Sequence, residues 1–85
     1  MAHTVRKSQL EIEVELRIRA IEMSEADGNG DDIPQPTIRI LSEADSETGV
    51  HWMLGNVSLR GAAYVRTAAR EIAREWEVER REALR

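Results

Sequence analysis

Residues 10–20 read Leu-Glu-Ile-Glu-Val-Glu-Leu-Arg-Ile-Arg-Ala, an unbroken alternation of apolar and charged side chains. A strict period of two places every apolar residue on one face of an extended strand, and the β-branched Ile12, Val14 and Ile18 suit that conformation. A helix would spread the same residues around its circumference. The alternation predicts a long, half-buried strand over about 8–22. A bulge near Ala20–Glu22 would account for the shift of apolar phase to Ile21 and Met23.

After this segment the chain turns. Asp27-Gly-Asn-Gly-Asp-Asp32 and the two prolines, Pro34 and Pro36, are dense loop chemistry. Thr37–Leu41 and Val50–Leu54 are short apolar runs that read as two further strands, over about 36–42 and 49–55. From Ser58, a plausible N-cap, the pattern becomes helical. Val65, Ala69, Ile72, Trp76 and Ala83 recur at helical spacing, and no proline interrupts the run, so one helix is expected over about 58–84. The expected fold is α+β: a three-stranded antiparallel meander with one long C-terminal helix on one face. Leu10, Ile12, Val14, Leu16, Ile18, Ile38, Ile40, Val50, Trp52 and Leu54 would form the sheet side of the core.

A chain of 85 residues makes one domain, 1–85, with a thin core, because a domain this size buries only about 60% of its unfolded surface. Small domains often add disulfides, a metal or oligomerisation. With no cysteine and two histidines, disulfides and thiolate metal sites are excluded, so a homodimer is the remaining aid. No apolar leader precedes the first predicted strand and no run approaches the ~18 residues that span a bilayer. A cytoplasmic protein that does not engage membranes is expected.

Charge is unevenly placed. Eleven acidic and three basic residues lie between Glu11 and Thr48, against seven basic and five acidic from Gly49 onward. The net charge of −4 is not that of a nucleic-acid-binding domain. On the expected strand, Glu11, Glu13 and Glu15 form a row on the face opposite the core, roughly 6.6 Å apart, with Leu41 and Met53 beside them. Exposed apolar residues ringed by charge suit a protein-binding surface. Arg66, Arg70 and Arg74 step along the helix at about 6 Å, with Arg60 ahead of them. Each stripe also has a plainer explanation as a solvated face that keeps the protein soluble.

No catalytic motif is legible. Asp27-x-Asn29-x-Asp31 opens like a calcium loop but has Asp32 where glycine is needed and Ile38 where a bidentate glutamate is needed. Gly55-Asn-Val-Ser-Leu-Arg-Gly61 lacks both the P-loop and the dinucleotide-binding spacing, although Arg60 at a helix start could help an anion to dock. His51 could act as a base only with a carboxylate on its other nitrogen. No enzyme, cofactor or metal is expected.

The expected function is a small non-enzymatic protein-binding module, a regulator or inhibitor that acts through Glu11, Glu13, Glu15, Leu41 and Met53. Glutamates spaced like phosphates would suit an inhibitor of nucleic-acid-handling machinery. Phage anti-defence proteins offer an analogy of size and charge, not of motif. The alternatives are a nucleic-acid-binding regulator that uses Arg60, Arg66, Arg70 and Arg74, and a structural subunit of a homo-oligomer.

Overall fold

The computed structural model describes residues 5–79. A short strand β1 (Val5–Lys7) leads into helix α1 (Gln9–Ala26), followed by β2 (Ile38–Ile40), β3 (Trp52–Leu54), helix α2 (Ala62–Glu75) and β4 (Trp76–Val78). The strands form two small sheets. β2 and β3 pair antiparallel, with Arg39 opposite Met53, and β1 and β4 pair parallel, with Arg6 opposite Glu77. The expected meander with one long helix is therefore incorrect: two helices pack on each other and carry a two-stranded sheet of each kind.

The alternating segment, expected to be a strand over 8–22, is helix α1. Its start is written in Ser8-Gln-Leu-Glu11. The Ser8 hydroxyl accepts from the Glu11 N–H at 3.1 Å while the Glu11 carboxylate accepts from the Ser8 N–H at 2.9 Å, a reciprocal capping box. These bonds hold the Glu11 carboxyl below its ordinary value, the backbone donor contributing most. The helix ends at a Schellman motif. Gly28 takes φ 80°, its N–H donates to Glu25 O, and the Asn29 N–H donates to Ser24 O at 2.9 Å. The glycine turn read as a loop is thus the C-terminal cap of α1, which leaves no strand to bulge at Ala20–Glu22.

Two residues advance about 200° around a helix, so the alternation yields two apolar stripes on opposite sides of α1. Ile12, Leu16 and Ala20 are buried, and Leu10, Val14 and Ile18 are exposed. The main core joins Ile12 and Leu16 to Ile38, Val50, Trp52, Ala68, Ile72, Ala73 and Val78. A smaller cluster holds Ala20, Ile33 and Val65. Leu10, Val14, Ile18 and Ile40 lie outside the core expected of them.

The loop after α1 runs back along it. The Arg17 Nε–H donates to Ile33 O at 2.7 Å, the Ile38 N–H donates to Glu13 Oε2 at 2.8 Å, and buried Ser24 exchanges bonds with Asp31. The second helix starts later than expected. Ser58 accepts from the Arg60 N–H, while Gly61, at φ 75°, occupies the N-cap position. The helix stops at Glu75, where the chain turns extended and pairs with β1. Residues 76–78, expected to be helical, are strand β4, and residues 80–84 of the expected helix lie outside the described residues. No helix among the described residues is long and apolar enough to cross a membrane.

Candidate functional site

Helix α2 turns Val65, Ala68, Ile72 and Ala73 inward, which leaves Arg66, Arg70 and Arg74 exposed at four-residue steps. Beside them lies β3, whose alternation buries Trp52 and points Met53 outward. Between α2 and β3 runs a groove of about 220 Å³, with Met53, Leu54, Ala69 and Ala73 as its apolar floor. Arg66 and Arg70 form one wall. The other is the 45–49 turn, built on Asp45, whose carboxylate accepts from the N–H groups of Glu47 (2.8 Å) and Thr48 (3.2 Å). A second depression of about 230 Å³ continues between Thr48 and Glu47 on one side and Arg70 and Arg74 on the other. Among the described residues, none of the three arginines takes part in an ion pair.

The acidic row expected for partner binding does not exist as a row. On a helix, Glu13 points away from Glu11 and Glu15, which stand one turn apart on the same side, and each of the three has a structural partner. Glu11 completes the capping box, Glu13 accepts from the Ile38 N–H at the start of β2, and Glu15 accepts from the Arg19 Nε–H at 2.8 Å. The spacing likened to phosphates was a property of the strand. Leu41 is half-buried, and its N–H donates to His51 O. Met53 joins the arginines instead of the glutamates. Arg60 is exposed in the turn before α2 and does not line the groove.

A second polar cluster was not legible in the sequence. Glu77 of β4 is buried, with 9% exposure. Its Oε1 accepts from the N–H groups of His51 (2.7 Å) and Val78 (2.9 Å), and its Oε2 lies 2.9 Å from His51 Nδ1. A carboxylate only accepts, so Nδ1 carries the proton. Burial pushes the Glu77 carboxyl up, but the bonds from His51 and Val78 outweigh it and hold it below the usual carboxylate range. His51 thus has the carboxylate partner that a base would require.

Arg19 bridges the helices, with Glu15 at 2.8 Å, Glu75 at 2.9 Å and Glu71 at 3.8 Å. The Trp76 ring is flanked by Lys7 Nζ at 5.0 Å and the Arg19 guanidinium at 5.8 Å. In the turn that resembled a calcium loop, the Tyr64 hydroxyl donates to Asp27 at 2.9 Å and Asp31 accepts from Ser24. No three His, Cys, Asp or Glu side chains among the described residues are grouped to hold a metal.

Comparison of the chain with protein families, with curated proteins and with solved structures finds no match.

Proposed function

We propose that the protein is a small, non-enzymatic binding module that seats an acidic segment of a partner protein along the groove between α2 and β3. The observation that carries this reading is the row Arg66, Arg70 and Arg74 standing beside the apolar floor of Met53, Leu54, Ala69 and Ala73. Guanidinium forks at about 6 Å steps match carboxylates on an extended or helical peptide, and each can bind one bidentately. Met53 is an adaptable contact for an apolar anchor. By occupying such a segment, the module would regulate or inhibit the protein that carries it.

The composition of the groove favours a peptide over nucleic acid. Asp45 and Glu47 on the opposite wall repel a continuous phosphate chain, whereas a peptide of mixed charge can satisfy both walls. Among the described residues the groove also offers no open stacking platform for bases: Trp52 is buried, and Trp76, flanked by Lys7 and Arg19, and Tyr64 do not line it. The reading gives the His51–Glu77 pair a structural part, since Glu77 also binds two backbone N–H groups. A cysteine-free chain suits the reducing cytoplasm, where we place the protein.

Fluorescence polarisation with labelled acidic amphipathic peptides, and in parallel with labelled single-stranded and duplex oligonucleotides, tests this reading. The peptides should bind more tightly than the oligonucleotides, and Arg70→Glu should weaken them by at least about tenfold, or 1.4 kcal/mol. Tighter oligonucleotide binding that weakens steeply with salt would transfer the arginine row to nucleic-acid binding. Peptide affinity unchanged by Arg70→Glu would remove the groove from consideration.

A further inference from the structure

The second apolar stripe of α1 has no cover among the described residues. Leu10 is 68% exposed, Val14 41% and Ile18 44%. Each lies four residues from the next, so the stripe runs about 12 Å along the helix. Shallow depressions beside it are lined by Lys7 and Trp76 near Leu10 and Val14, and by Arg19 and Glu22 near Ile18. We propose that this stripe is a self-association surface, on which α1 of a second copy packs antiparallel about a two-fold axis at Val14.

The charge layout of α1 selects both the occupant and its direction. Arg6 and Lys7 stand at the head of the helix. The tail carries Glu22, Glu25 and the C-cap Asp27, with no basic residue in the last turn. Acids at a helix C-terminus oppose the macrodipole, so the tail lacks a positive neighbour that its own helix does not supply. Antiparallel pairing supplies one. With Val14 on the axis, Leu10 meets Ile18 of the second copy, and Glu22, on the flank of Glu15, comes level with Lys7 of the second copy, which lines that same flank beside Leu10 and Glu11, and with the positive pole of its helix. On one flank Arg17 and Glu13 are engaged by the chain's own loop, through Ile33 O and the Ile38 N–H. Glu11 and Glu15 line the other flank, where Arg19 of the same chain already neutralises Glu15 at 2.8 Å. Parallel pairing would instead set tail against tail and head against head.

The interface is isologous, as a two-fold dimer requires. Its short stripe falls below the ~1,600 Å² of a standard interface, so association is weak and depends on concentration. Two-sided burial also explains why a chain would keep Leu10, Val14 and Ile18 in alternation with Ile12, Leu16 and Ala20. One stripe closes the domain and the other closes the dimer.

Sedimentation equilibrium of the full chain, up to millimolar concentration, tests this proposal. The average mass should rise from 9.7 kDa toward twice that value. Val14→Glu should stay monomeric with an unchanged circular dichroism spectrum. Leu10→Gln, at the most exposed of the three positions, repeats the measurement should Val14→Glu disturb folding. Glu22→Lys should weaken association by about tenfold, and adding Lys7→Glu should restore it. A wild-type protein that stays monomeric throughout, a Val14→Glu variant that associates like wild type, or a Glu22→Lys variant that associates more tightly would each overturn the proposal. Arg70→Glu should leave association unchanged, so this proposal and that of the peptide groove stand or fall separately.

Discussion

The Glu77 carboxylate holds His51 at two points, its backbone N–H at 2.7 Å and its ring Nδ1 at 2.9 Å, and so ties β4 to the residue that precedes β3. Replacing Glu77 by Gln keeps the shape but puts an amide donor where N–H groups already point. We expect a loss of about 1.5–3 kcal/mol, the scale of hydrogen bonds to a charged group, measured by urea unfolding at neutral pH.

The same pair sets a pH dependence. Because the folded state depresses the Glu77 pKa, its contribution is fully present above the unfolded value, about 4.3. It is lost as pH falls through the lower, folded value. The stability gap between wild type and Glu77→Gln should therefore narrow below about pH 4.3. A gap that stayed constant down to the acid transition would contradict the depressed pKa.

The helical assignment of residues 9–26 is testable by paired alanine substitutions. On a strand, Ile12 and Val14 share a face, whereas on α1 they lie on opposite sides. Ile12→Ala should cost about 2–5 kcal/mol. Val14→Ala should change monomer stability by less than about 0.5 kcal/mol. Equal losses at the two positions would favour the strand.

Arg19 joins α1 to α2 through partly exposed carboxylates, and its bond to Glu75 holds that carboxyl below its ordinary value. Solvent screens such pairs, so Arg19→Met should cost roughly 1–2 kcal/mol in total, including the contact with the Trp76 ring. The difference should shrink in high salt.

Gly61 has two reasons to be glycine. Its φ is 75°, and an added Cβ would lie 2.7 Å from Ile33 Cγ1. Gly61→Ala should destabilise by about 1–3 kcal/mol, which thermal unfolding would detect. Gly30→Ala, at φ 62° with open space around it, should cost less.

The capping box at Ser8 and Glu11 and the glycine cap at Gly28 were local signals, readable without a structure. They conflicted with a period of two that equally describes a helix with two apolar sides. Periodicity reports which residues share a face only once the backbone is known, and the backbone here follows the caps and the helix-forming Glu, Leu and Arg. The turn-rich 27–32 segment, the short runs that contain Ile38–Ile40 and Trp52–Leu54, and the exposed arginine row at 66, 70 and 74 depend on neighbours in sequence, and these were legible.

Where α1 begins and ends and where the chain turns are set locally, because capping and left-handed glycines act within a few residues, although the period of two in the same residues read as a strand. The stop of α2 at Glu75 comes instead from contacts distant in the chain. No glycine or proline lies there, and the helix gives way because Trp76–Val78 gains a parallel partner in Val5–Lys7 and because Glu77 finds His51, 26 residues away in sequence. Tertiary structure likewise brought Met53 to the arginines. Such long-range pairings depend on the path of the whole chain, which no local pattern encodes.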